Sequence, residues 1–142
     1  MILFHAENIE VPDFDQELFC SWLSDTINHE GGSVGDIQFV FCSDVYLLNM
    51  NISHLQHDYY TDIITFDYSE GDFISGDVYI SVERVKENAQ FLNVEYTHEL
   101  LRVLAHGVLH LIGFQDKEEI LKAEMTENED LCISIFFTKF AQ

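Results

Sequence analysis

Two histidines lie four residues apart, and an aspartate follows them, in the string from His106 to Asp116. Residues at this spacing share one face of a helix, so the imidazoles of His106 and His110 can point at one ion. Gly113 lets the chain leave the helix sharply, and Asp116 can then turn back as a third ligand. Zinc takes such ligands at ~2.0–2.2 Å, and three of them leave a fourth position for water. The pattern therefore predicts a catalytic site for one zinc ion; the alternative is a pair of core histidines that bond to the backbone.

The residue after the first histidine limits the chemistry. In the HExxH metalloproteases a glutamate stands there as the general base, whereas this chain has Gly107. A peptidase of that mechanism is therefore disfavoured. The ion itself is expected to activate the water, because coordination can lower the pKa of water from 15.7 to about 7.

Two other residues could compete with Asp116 for the third position. His98 stands eight residues before His106 on the same predicted helix, about 12 Å away at 1.5 Å per residue, which is too far to share the ion. Gln115 is neutral and a poorer partner for a dication. Asp116 could also cap a following helix, since Glu119 stands at capping-box spacing from it.

A long apolar segment surrounds the histidines and predicts a buried central helix that begins at Glu95 or Thr97 and ends at Gly113. A capping box at Asp13 and Gln16 predicts an earlier helix, and Ser43 or Asp44 predicts the start of another. Strands are predicted where β-branched and aromatic residues alternate, with Gly76 and Asp77 at the entry to the last strand. The predicted strands are 2–5, 37–42, 61–66 and 78–82, and further helices are predicted at 83–91 and 117–137. This mixture indicates an α+β fold, a small sheet covered by helices, in a single domain over 1–142.

Charge sets the chain apart. Its 142 residues include 26 acidic and only 6 basic ones, for a net charge of −20, and the first Lys or Arg is Arg84. Such a chain is poorly suited to broad electrostatic binding of phosphate backbones. The acidic surface either serves solubility alone or docks a basic protein. Three scattered cysteines favour a reducing cytoplasm, no apolar run is long enough to span a membrane, and the first residues do not resemble a secretory signal.

Three motifs carry a resemblance to a known family. The string 106–114 resembles the YbeY signature His-Gly-x-Leu-His-Leu-x-Gly-Tyr/Phe, 61–66 resembles the family's Thr-Asp-Val-Leu-Ser-Phe, and 76–81 resembles its Gly-Asp-Ile-x-Ile-Ser. The resemblance implies a zincin-like α+β fold and a cytoplasmic, single-strand-specific endoribonuclease. It also implies a role in maturation of the small-subunit ribosomal RNA 3′ end and in ribosome quality control, with the small subunit or its basic proteins as partners.

The chain departs from the family pattern at two positions. The third metal ligand of the family is usually His, and here it is Asp116. An arginine that the family uses for activity aligns with Leu55, so a guanidinium that could clamp phosphate is missing. His54 and His57 are neighbouring substitutes, although helix-end polar residues are the plainer interpretation. Arg102, four residues before His106 and on the same helix face, is a further candidate catalytic residue.

Two aspartates near predicted strand ends each have two interpretations. Asp62 can orient a metal-bound histidine or cap a turn, and for Asp77 we favour the turn. The leading hypothesis is a zinc-dependent endoribonuclease. The alternatives are hydrolysis of another bond type and a ribosome-assembly factor whose metal is structural.

Overall fold

In the computed structural model, which describes residues 1–141, helices cover a four-stranded mixed sheet. The elements follow one another as β1 (Ile2–Glu7), α1 (Gln16–His29), β2 (Ser33–Cys42), α2 (Asp44–Leu55), β3 (Ile63–Asp67), β4 (Phe73–Ser81), α3 (Val82–Leu92), α4 (Tyr96–Ile112), α5 (Glu119–Ile135) and a π-helical turn (Phe136–Phe140). The α+β fold expected from the sequence, a small sheet covered by helices, is confirmed. No helix within residues 1–141 is long and apolar enough to cross a membrane.

The sheet has the strand order β1-β2-β4-β3. β1 and β4 both run parallel to β2, so Phe39 lies between Phe4 and Val78. β3 runs antiparallel to β4 and forms the end of the sheet, with Thr65 opposite Val78. β3 and β4, which are consecutive in the chain, form an antiparallel pair, and β3 borders the candidate site through Ile63 and Thr65.

The alternation of side chains along the strands divides the apolar residues between two layers. One face carries Val78 and Ile80 and packs with α1, α4 and α5 into the main core, which includes Trp22. The other face carries Tyr79 and packs with α2 into a smaller cluster. The larger layer holds the helix that carries both histidines.

Helix α4 lies inside the main core because it is apolar nearly all round. Of its 17 residues, ten are buried, among them Leu104, Val108 and Leu111. It begins at its N-cap Glu95 and ends at Gly113, which has a φ of 123°. That backbone conformation favours glycine, so the sharp exit predicted from the sequence is present.

Several local predictions were wrong in detail. The N-cap of α1 is Asp15, whose carboxylate accepts from the Leu18 N–H at 3.1 Å, and not Asp13. β4 starts at Phe73, so Asp77 pairs within the strand and does not form a turn. The adjacent Gly76 is required there because a Cβ atom would lie 2.5 Å from the carbonyl oxygen of Phe66.

Candidate metal centre

The end of α4 and the loop after it bring three potential ligands together. His106 Nε2 lies 3.0 Å from His110 Nε2, and Asp116 Oδ2 lies 3.3 Å from the first and 3.4 Å from the second. These are the three residues that the spacing singled out, and they form a group that can hold a metal ion. Each of the two imidazoles is about one-fifth exposed and Asp116 about one-third, so the group is open to solvent on one side.

The other nitrogen of each imidazole is already engaged. His106 Nδ1 donates to Glu129 Oε2 at 2.6 Å, and His110 Nδ1 donates to the carbonyl oxygen of Phe114 at 3.0 Å. Both partners are acceptors, so each Nδ1 carries the proton in the neutral ring. Each Nε2 is then left with a lone pair, and the two lone pairs face one another.

This arrangement fits a divalent cation. Ligands placed ~2.0–2.1 Å from a tetrahedral zinc ion lie about 3.3–3.4 Å from one another. The three separations in this group, 3.0, 3.3 and 3.4 Å, are close to that spacing. Two lone pairs and a carboxylate oxygen repel one another unless a cation or a proton lies between them. Two neutral nitrogens and one carboxylate oxygen form a donor set that zinc accepts.

The carboxylates around His106 act on its protonation as well. Burial alone lowers the pKa of His106, but the hydrogen bond to Glu129 and the charges of Glu129 and Asp116 outweigh burial, and the pKa lies above its usual range. The negative potential that stabilises the imidazolium also favours a dication, and the two compete for the same lone pair.

A cavity of about 470 Å³ opens beside this group. Asp62 and Glu99 line it together with the histidines, and burial raises the pKa of each carboxyl. The charge of His106 opposes the effect of burial at Asp62, and that of Arg102 opposes it at Glu99. Glu99 is buried, and its Oε1 has no hydrogen-bond partner among the described residues. The cavity wall is therefore strongly acidic.

Arg102 also lines the cavity, but its guanidinium is occupied by carboxylates. Nη1 donates to Glu129 Oε1 at 2.9 Å, Nη2 donates to Asp130 Oδ1 at 2.8 Å, and Nε lies 3.8 Å from Glu99 Oε1. Among the described residues that line the cavity, Arg102 is the only Lys or Arg. Its positive charge is directed at the protein and not at the open side of the cavity.

The substitutes considered for the family's arginine lie elsewhere. Leu55 is the last residue of α2 and is 40% exposed. His57 stacks on Tyr59 with ring centroids 5.2 Å apart, and His54 packs edge-on against Phe66. Neither histidine lines the metal cavity, although Tyr59 does.

Two alternatives at the ligand positions were also resolved. The N-cap of α5 is Glu118, so Asp116 does not cap that helix. Gly107 faces the sheet: a Cβ atom there would lie 2.9 Å from Val78 Cγ1 and 3.1 Å from Ile63 Cδ1. The position that bears the general base in HExxH enzymes is thus packed against β3 and β4.

Comparison with known proteins identifies the family of the chain. The family model described as Endoribonuclease YbeY matches residues 2–136. The chain belongs to the YbeY endoribonuclease family. A relative from Parabacteroides distasonis named Endoribonuclease YbeY is 43% identical over 134 residues, which cover 94% of each chain. One from Flavobacterium johnsoniae is 46% identical over 136 residues, covering 96% of this chain and 97% of its own.

A solved structure supports the YbeY fold independently. The solution structure of a protein from Thermotoga maritima superposes with a TM-score of 0.70 at 26% identity, covering 99% of this chain and 92% of that chain. The resemblance that the three motifs indicated is therefore confirmed for the family and for the α+β fold.

Sequence reasoning did not find Glu129 or Glu99. Glu129 lies 23 residues beyond His106 on another helix, and only the packing of α5 on α4 brings them together. A signal for Glu99 was present, because it shares a face of α4 with Arg102 at three-residue spacing and with His106 at seven-residue spacing.

Proposed function

We propose that this chain is a metal-dependent endoribonuclease that acts on single-stranded RNA in maturation of the small-subunit ribosomal RNA 3′ end and in ribosome quality control. Membership of the YbeY family supports an endoribonuclease that processes ribosomal RNA. The observation that carries the metal dependence is the convergence of two imidazole nitrogens and one carboxylate oxygen within 3.4 Å of one another.

In this proposal His106, His110 and Asp116 hold one zinc ion per chain. When bound, the ion supplies Lewis acidity, which lowers the pKa of water and polarises a phosphodiester oxygen. The protein residues provide the rest. Glu129 and the Phe114 carbonyl fix the two imidazoles so that their Nε2 lone pairs face the position of the ion, and the open cavity beside them has room for the scissile phosphate.

The acidic surface affects whether the protein binds naked RNA or RNA within ribosomal particles. With a net charge of −20 and the cavity's one arginine occupied by carboxylates, the protein has little capacity to neutralise phosphates. We expect weak binding to naked RNA and stronger association with ribosomal particles, through basic ribosomal proteins that complement the acidic face. The same proposal places the protein in the cytoplasm as one domain over residues 1–142.

The direct test is cleavage of matched RNA substrates. Zinc-loaded protein is incubated with a single-stranded oligoribonucleotide and with its duplex, in parallel with a metal-free sample and a His110→Ala variant. We expect cleavage of the single strand alone, and loss of cleavage in both control samples. Equal cleavage by the parent and the His110→Ala variant, each purified free of contaminating nuclease, would overturn the proposal.

The tied-up guanidinium of Arg102 favours a second candidate, a ribosome-assembly factor whose metal is structural. A structural zinc ion has four protein ligands, whereas a catalytic one keeps a position for water. X-ray absorption of the zinc-loaded protein separates a structural from a catalytic zinc, since three protein ligands and one water indicate catalysis.

Hydrolysis of an amide or ester is the other enzyme class, and the packing of Gly107 against the sheet weighs against its usual peptidase form.

A further inference from the structure

Helices α4 and α5 are joined beside the metal group by one buried carboxylate. Glu129 is 6% exposed, and its two oxygens are used separately: Oε2 accepts from His106 Nδ1 and Oε1 accepts from Arg102 Nη1. His106 and Arg102 are four residues apart on α4, so both present their donors on the same face. Glu129 therefore bridges two neighbouring turns of the helix that carries the metal group.

The bridge constrains the ring of His106 in two ways. A carboxylate only accepts, so it fixes the proton on Nδ1 and leaves the Nε2 lone pair for a cation. The contact of 2.6 Å is also short, as is usual for a hydrogen bond to an ionised partner, and it sets the plane of the ring. His110 is held differently, by the uncharged carbonyl oxygen of Phe114. The two histidines therefore have different partners at Nδ1, and only the partner of His106 is a carboxylate.

A buried carboxylate requires a counter-charge, and Arg102 provides it. Its side chain is 23% exposed, and it donates at the same time to Asp130, on the solvent side of Glu129. An unpaired charge in this position would be strongly destabilising. The guanidinium is thus in the position expected of a support for Glu129.

We infer that Glu129 is a positioning residue for metal binding and that Arg102 acts through it, without either touching the RNA. Glu129 selects the tautomer of His106 and raises the basicity of its Nε2. Arg102 holds Glu129 in place through its hydrogen bond to Oε1. This inference rests on the metal centre of the proposed function, and it assigns Arg102 to support of the site in place of a phosphate clamp.

The test measures zinc affinity by competition with a chromophoric chelator, independently of any cleavage. Loss of an outer partner of a metal-bound histidine lowers metal affinity by about 10- to 100-fold. We expect that loss for Glu129→Gln, which keeps the shape and removes the charge, and a larger one for Glu129→Ala. The matched control is Glu127→Gln, which removes an exposed charge two residues away on the same helix and should bind zinc as the parent does.

The support role of Arg102 has its own pair of variants. Arg102→Met leaves Glu129 without its counter-charge and should weaken zinc binding, whereas Asp130→Asn removes only the exposed partner of Arg102 and should not. Thermal unfolding of each metal-free variant gives the fraction of protein that is folded, and the zinc affinity is calculated for the folded protein alone. Parent-like affinity in both Glu129 variants would overturn the inference, and parent-like affinity in Arg102→Met would overturn the role of Arg102.

A measurement on the unaltered protein covers the case in which the variants do not fold. Nitrogen-15 NMR of the metal-free parent, at a pH where His106 is neutral, reports which ring nitrogen carries the proton. The inference requires the proton on Nδ1, and a proton on Nε2 would overturn it. If the parent protein binds no zinc, the proposed metal centre is wrong. Failure of the proposed function can therefore be distinguished from failure of this inference.

Discussion

Replacement of Asp116 by alanine tests the third ligand with little disturbance of the fold. The carboxylate is one-third exposed, its contacts are with the Nε2 atoms of His106 and His110, and α5 takes its N-cap from Glu118. Truncation of a partly exposed side chain that packs in no apolar core and caps no helix changes stability by about 0.5 kcal/mol or less. We therefore expect metal-free Asp116→Ala to unfold with nearly the free energy of the metal-free parent.

The expected loss of metal affinity is much larger. Structural zinc sites with four ligands bind with about 10–16 kcal/mol, or about 2.5–4 kcal/mol per ligand. At 1.4 kcal/mol per factor of ten, removal of one ligand weakens binding by about a hundredfold to a thousandfold. At a fixed zinc concentration well above the parent's Kd, a hundredfold loss removes about 2.7 kcal/mol of ligand stabilisation, or about 5–10 °C of the zinc-induced shift in Tm.

The assay pairs chelator competition with thermal unfolding at fixed zinc concentration. Asp116→His should retain tight binding, because imidazole is an equally good zinc ligand and the usual family choice at this position. The control variant Glu118→Ala removes an exposed charge two residues away and should leave the Kd unchanged. If Asp116→Ala binds zinc as tightly as the parent, Asp116 is not a ligand.

Four further outcomes can be checked on the same material. Chelation should lower Tm while the far-ultraviolet dichroism stays that of a folded protein, because the core is large; an unchanged Tm after verified metal removal would count against the site. The logarithm of the association constant for RNA should fall by less than about 2 for each tenfold rise in salt concentration, since each neutralised phosphate on a single strand contributes about 0.7. A steeper dependence would show that the acidic surface does not limit binding. Gly76→Ala should lower the free energy of unfolding by about 1–3 kcal/mol or more in urea titrations, because its Cβ would lie 2.5 Å from the Phe66 carbonyl oxygen; parent-like stability would mean that β3 and β4 are further apart. Burial raises the pKa of Cys42 to about 12 and that of Cys132 to about 11, so at pH 8 Cys20 should be alkylated first in the native protein, and early labelling of either other thiol would contradict their burial.

The histidine pair was accessible from the sequence because it depends on helix periodicity, and Asp116 was indicated by the helix exit at Gly113 and mainly by the family resemblance. Four-residue spacing put His106 and His110 on one face, and Gly113 ended the helix where Asp116 could return. Such relations span less than two turns of chain. The same reasoning could not reach Glu129, because the contact depends on how α5 docks on α4, and no local period encodes that docking.

The errors in element boundaries arose where two options are locally equivalent. Asp13 and Asp15 both satisfy the chemistry of an N-cap, and Asp15 is the one whose carboxylate accepts from the Leu18 N–H. The alternation of Val78, Ile80 and Val82 predicts a strand that is entered through Gly76 and Asp77. In the structure Gly76 is an interior residue of β4, kept small by the close approach of Leu111 and the Phe66 carbonyl oxygen. At Gly76 tertiary proximity decided between the two options.

The seating of Gly107 on the sheet has an evolutionary consequence. A single codon change that turned this glycine into glutamate would recreate the HExxH string of the metallopeptidases. At that position, however, the new side chain would start 2.9 Å from Val78 and 3.1 Å from Ile63, inside the helix–sheet contact. The side chains of Val78 and Ile63 would have to shift to make room, so a general base at this position requires repacking of the contact between α4 and the strands. The two kinds of metallohydrolase differ at one residue of this string, and the space needed by that one side chain separates them.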